Sequence, residues 1–161
     1  VNAMDINLDN IQTILIAAAC GALLGTEREI AGKPAGIRTH IFVCIGSALM
    51  MILGHAIVNQ FQQQEVDSLL SVDPIRTLQA IVVGISFLGA GTIIHQKDEG
   101  VEGLTTAATI FLTAGIGVAT AVGQVSLAVF VTVFAVFVLV LVGFIERKTE
   151  NRKHRNDPTK S

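Results

Sequence analysis

Glu27, Arg28 and Glu29, followed by Lys33, Arg38 and His40, gather ionisable side chains in the short turn between two apolar runs of this sequence. Side chains of these types can pair across a turn, bind lipid headgroups or contact a partner. Ionisable groups at a membrane boundary are costly unless they reach the interface, and long ones can snorkel there. Anchoring by positive charge accounts for Arg28 and Lys33. It accounts poorly for Glu27, because carboxylates contribute little to orientation. Arg38, across the turn, is therefore the expected partner of Glu27. His40, His55 and His95 are expected to pack or meet headgroups rather than relay protons.

A second group is uncharged. Thr106, Thr109, Thr113, Gly117 and Thr120 recur at helical spacing inside a charge-free run. Such a stripe can line a polar path between helices. It can equally be close packing, each hydroxyl bonded to a carbonyl of its own helix. Both readings stay open for the stripe as a whole.

Other chemistries are missing. There is no H-E-x-x-H, P-loop or paired-glycine dinucleotide fingerprint. In Gly84-Ile-Ser-Phe-Leu-Gly89 the second glycine falls one place too late for a serine nucleophile elbow. Cys20 and Cys44 form no C-x-x-C pair and read as small packing residues. No enzyme, cofactor, metal centre or nucleic-acid partner is expected. Mg²⁺ binds oxygen and dehydrates reluctantly. The apolar runs offer it only Ser47, Ser86, threonines and backbone carbonyls, so a hydrated path or none fits better than a dehydrated site.

The elements that carry these residues are written in the composition. Of 161 residues, 51% are hydrophobic and 15% charged. Charge-free runs cover 10–26, 39–64, 77–96 and 103–145. The last, at 1.5 Å per residue, would reach about 65 Å, roughly two bilayer cores, and must fold back once. Gly123-Gln124 is the expected break. A soluble bundle would need polar outer faces, and Phe130–Phe144 offers none. The expected fold is an all-α integral membrane protein, a bundle of five transmembrane helices with its N-terminus outside and its C-terminus cytoplasmic. The helices are expected over Asp9–Glu29, Ile37–Gln60, Pro74–His95 (with Asp73 as N-cap), Leu104–Val122 and Gln124–Lys148. KDEGVEG makes the turn after the third.

Residues 1–8 read as an expression scar (Val1-Asn2-Ala3) and a short extracytoplasmic lead, 9–148 as the transmembrane domain, and 149–161 as a basic cytoplasmic tail that frays. The orientation follows from Lys and Arg. Arg76 alone lies on one side, while Arg28, Lys33, Arg38, Lys97 and the tail cations lie on the other.

Small residues mark packing seams in lipid. Ala17, Gly21 and Gly25 align with Arg28 on helix 1, whereas Glu27 shares another face with Cys20 and Leu24. Helix 3 aligns Ala80, Gly84, Gly91 and His95. Helix 5 lacks a seam and should face lipid. The expected partners are the lipid bilayer, another membrane protein and, from the number of seams, a second copy of the chain.

Taken together, GALLGTERE (21–29), AGIRTH (35–40), GISFLGAGTI (84–93) and GLTTAATIFLTAGIGVATAVG (103–123) resemble the membrane domain of the MgtC/SapB family in order and spacing. The resemblance implies a bacterial inner-membrane protein linked to growth in low magnesium and survival inside host cells. It implies a modulator of other membrane machinery, including the proton-translocating ATP synthase, with cation (Mg²⁺ or proton) transport as the alternative. By motif it assigns functional positions to Glu27, Arg28, Arg38, Thr39, Gly89, Gly91, Thr105 and Thr106. Thr109, Thr113 and Gly117 form the candidate polar seam, and Gly21, Gly25 and Gly84 the packing positions. Many relatives carry an ACT-type cytoplasmic domain after helix 5. Here the sequence stops at Ser161, as a membrane-only member or a truncated piece.

Overall fold

The computed structural model describes residues 8–63, 74–96 and 100–155. The Asp73 cap, the linker after residue 63, Lys97 and the last six residues lie outside them. Five helices follow in order: α1 (Leu8–Ile30), α2 (Ile37–Gln63), α3 (Pro74–Thr92), α4 (Leu104–Ala121) and α5 (Val125–Arg155). All five are long and apolar enough to cross a membrane.

Each boundary has a local cause. Proline at the first position of α3 sacrifices only an N–H that no helical carbonyl would accept. Gly123, at φ 81°, ends α4. Its N–H donates to the Thr120 carbonyl at 3.1 Å and that of Gln124 to the Ala119 carbonyl at 2.8 Å. This pair of bonds satisfies the last carbonyls of the helix and requires the left-handed conformation that glycine adopts freely. The expected break is therefore where the sequence places it. α5 instead runs past the expected boundary at Lys148, through Arg155, so the stretch expected to fray continues as helix.

The turn before α4 also differs from expectation. α3 stops at Thr92, and Ile94–Gln96 pairs antiparallel with Gly100–Glu102, bringing Ile94 opposite Glu102 and Gln96 opposite Gly100. His95 thus belongs to a short ribbon and not to the helix 3 seam.

α4 occupies the centre, with 44% of its apolar span buried, against 6% for α3 and 11% for α5. It touches all four other helices, α2 most closely, while α1 packs chiefly on α2. The core is built from small side chains: Ala17, Cys20, Cys44, Ala48, Ala128 and Ala135 surround Leu24 and Ile116. Helices in lipid gain by close van der Waals approach, so small residues at the contact are the stabilising feature.

Two seam assignments are corrected. On α3, Ala80, Gly84 and Gly91 are exposed and unpacked, Ala80 and Gly84 bordering an open groove beside α2, and a Cβ on Gly84 or Gly91 would meet nothing within 4 Å. On α5, Ala128, Thr132 and Ala135 are buried, giving the helix the seam that its Val- and Phe-rich sequence hides. The Thr132 hydroxyl donates to the Ala128 carbonyl at 2.7 Å, so its burial leaves no donor orphaned.

Candidate functional site: the charged turn and the seam above it

The α1–α2 turn is rigidly built. Gly32, at φ 68°, lets its own N–H donate to the Glu29 carbonyl and that of Lys33 to the Arg28 carbonyl, both at 3.0 Å. Pro34 follows and cannot continue a helix. The chain then re-enters at Ile37, whose N–H donates to the Glu29 carboxylate at 2.9 Å. Glu29 thus caps α2 from the preceding helix, placing negative charge at the positive end of the helix dipole.

Above the turn the two helices nearly touch. A Cβ at Gly25 would come within 2.6 Å of the Ile37 Cα and 3.0 Å of the His40 Cβ. At Gly21 it would come within 2.6 Å of the His40 carbonyl oxygen. Only glycine permits this approach.

Arg28 continues the same stripe and is buried, at 4% exposure, rather than snorkelling outward. Its partner is Glu27, the residue expected to pair with Arg38. The Arg28 Nε donates to Glu27 Oε2 at 2.5 Å and Nη2 to Oε1 at 2.9 Å, a two-point bond between sequence neighbours. The expected Glu27–Arg38 pair is therefore replaced. Arg38 and Thr39 point outward from the first turn of α2. The reason is reach: Glu27 is partly buried and Arg28 lies on the seam beside it, whereas Arg38 begins on the outer face of α2.

His40 is fully buried. Its Nδ1 lies 2.9 Å from the Gly36 carbonyl oxygen, which can only accept. Nε2 has no hydrogen-bond partner among the described residues.

The α4 threonines divide in the same way. Thr106, Thr109, Thr113 and Thr120 are buried, and Thr105 is exposed. Thr109 donates to the Thr106 carbonyl (2.9 Å), Thr113 to Thr109 (2.7 Å) and Thr120 to Gly117 (2.7 Å). The hydroxyl protons of these three are thus used within the helix. Gly117 lies against the Cys44 backbone so closely that a Cβ there would collide with its carbonyl. Gly89 is buried, 3.6 Å from the Ala107 Cβ when given a Cβ of its own, and α3 passes through it unbroken. An apolar groove of about 250 Å³ lies between α2 and α3, lined by Gly46, Ser47, Met50 and Gly84 among others. Among the described residues, no three His, Cys, Asp or Glu side chains gather to hold a metal ion.

The structure therefore brings together Glu27, Arg28, Gly21, Gly25, Thr106, Thr109, Thr113 and Gly117 in the α1, α2 and α4 seams. It leaves Arg38, Thr39, Gly84, Gly91 and Thr105 outside them. Glu29 as a cap and His40 as a buried seam residue were not assigned from sequence. Spacing offered one clue to His40, since Cys44 follows it by one helical turn.

Comparison with known proteins agrees with the motifs. The MgtC family profile matches residues 14–148. An uncharacterized protein of Haemophilus influenzae is 34% identical over 142 residues, covering 88% of this chain and 59% of that protein. The Escherichia coli K12 protein named "Putative magnesium transporter YhiD" is 41% identical over 131 residues, covering 80% and 58%. Protein SapB of Bacillus subtilis is 33% identical over 118 residues, covering 73% and 50%. The chain thus spans 50–59% of the length of these three relatives. No solved structure is a significant match. With five span-length helices and its family motifs at the α1–α2 turn and in α3 and α4, the chain belongs to the MgtC family of multi-pass membrane proteins.

Proposed function

We propose that the chain is a non-catalytic regulator in the bacterial cytoplasmic membrane, acting by binding another membrane complex. Its charged turn faces the cytoplasm, where the exposed Arg38 and Thr39 beside the Glu27–Arg28 pair contribute to recognition. The process served is adaptation to low magnesium and to life inside host cells, with the proton-translocating ATP synthase as a partner complex.

One observation carries this reading. The Thr109, Thr113 and Thr120 hydroxyls donate to their own helix, and Gly117 is closed against the Cys44 backbone, so the threonine seam is packed from Thr109 to Thr120. A packed seam supports a scaffold more than a conduit. Cation transport is the second reading, favoured by the name of the Escherichia coli relative and by the row of buried threonines.

Reconstitution in liposomes separates the two. The regulatory reading expects no saturable Mg²⁺ or proton flux, together with specific co-purification of a membrane complex that weakens on Arg38→Ala. Saturable flux lost on Thr109→Val and Thr113→Val would overturn it.

A further inference from the structure

His40 has hydrogen-bonding capacity that its surroundings leave unused. Nδ1 faces a carbonyl oxygen, so Nδ1 carries the proton, and in the neutral ring Nε2 is then a bare acceptor. That atom is buried without a donor among the described residues. Buried acceptors are nearly always satisfied, because leaving one bare forfeits its hydration without return.

No donor of the described residues is within hydrogen-bonding reach of it, and two buried hydroxyls of the neighbouring helix are already committed. Thr109 and Thr113, on the helix packed against α2, donate to their own backbone. Arg28 is different. Two of its N–H groups hold Glu27, and a guanidinium has five. Arg28 follows Gly25 by about one helical turn, and a Cβ at Gly25 would come within 3.0 Å of the His40 Cβ; the charges of Arg28 and Glu27 both act on the ring. The guanidinium is bonded to Glu27 and makes no direct bond to Nε2, so a small bridging molecule would join the two.

We propose that a single water molecule bridges Arg28 and His40 Nε2, joining Glu27, Arg28, the water and His40 into one polar network across the α1–α2 seam. The chemistry selects water. The occupant must accept from an Arg N–H and donate to a bare nitrogen lone pair. A cation cannot accept from the guanidinium, and an anion lacking a proton cannot donate to Nε2. Internal waters characteristically sit where two or more buried polar groups converge. The inference stands apart from the regulatory reading, since it concerns how α1 is held to α2.

Water-edited solid-state NMR tests it on the full chain in lipid bilayers. With His55→Gln, His95→Gln and His154→Gln in place and histidine labelled with ¹⁵N, His40 is the sole reporter. Magnetisation should pass from water protons to Nε2 at short mixing times, and the transfer should be lost or strongly reduced in Arg28→Lys. No transfer to Nε2 in the Arg28 protein overturns the proposal. So does transfer that Arg28→Lys leaves unchanged, or an Nε2 resonance coupled directly to an Arg28 N–H.

Discussion

Glu27 and Arg28 are consecutive in the chain, yet their side chains close a two-point ion pair in the mouth of the α1–α2 seam. Adjacent residues on a helix point about 100° apart and seldom meet. Here Arg28 is held in the seam by burial, and Glu27 follows it inward with a side-chain exposure of 12%. The pair is short, local and independent of Arg38.

Removing the carboxylate charge leaves a buried guanidinium uncompensated. Glu27→Gln should destabilise the protein by about 3–5 kcal/mol, the usual cost of breaking a buried pair from one side. Arg38→Ala, at an exposed position, should change stability by less than about 0.5 kcal/mol. Unfolding midpoints in detergent or bicelles check both. Equal losses at the two positions would restore the pairing expected from sequence.

The glycines separate into those that a methyl would disturb and those that it would not. Gly25→Ala places a Cβ 2.6 Å from the Ile37 Cα, a backbone atom that cannot swing aside. The expected loss is about 1–3 kcal/mol, as for overpacked cores. Gly84→Ala meets nothing and should be neutral or slightly stabilising in the isolated chain. A large loss at Gly84 in bilayers, absent in dilute detergent, would mean that a second copy or partner occupies the α3 face.

Glu29→Ala removes the acceptor for the Ile37 N–H and the negative charge at the start of α2. Loss of an N-terminal cap costs about 0.5–2 kcal/mol. Hydrogen exchange should show the first turn of α2 opening faster, with the middle of α2 unchanged. Uniform acceleration along α2 would contradict a role confined to the cap.

Gly123→Ala forces a Cβ into the left-handed conformation that ends α4. The expected cost is about 1–2 kcal/mol. Gly123→Asn, a residue that tolerates this conformation better, should lose less. The order of the two melting midpoints decides the matter.

Much of this architecture is legible in the sequence because it follows from one-dimensional quantities. Charge-free runs of span length give five helices, and Gly123 in the longest run gives the fold-back. Helical phase puts Gly21, Gly25 and Arg28 on one stripe, as observed. Phase does not say how far a side chain reaches, so it assigned Glu27 to Arg38. Nor does it say which seams find protein. Ala80, Gly84 and Gly91 align as well as any set, yet they stay exposed and unpacked because α3 lies against α4 by another face. Ala128, Thr132 and Ala135 escaped notice because large apolar residues surround them on every side of α5. His40 is hardest to read: a histidine beside a charged turn looks like an interface residue until the Gly25 approach shows that it is enclosed.

The central place of α4 also sets a schedule. α3 rests on α4 more than on α2, and α4 follows it in the chain. During synthesis α3 therefore enters the membrane before its main neighbour exists, while α1 and α2 can already close around Gly21 and Gly25. A helix with so much outward apolar surface can wait in lipid without misfolding. The arrival of α4 against Cys44 is then the event that draws α3 from a bystander into the bundle.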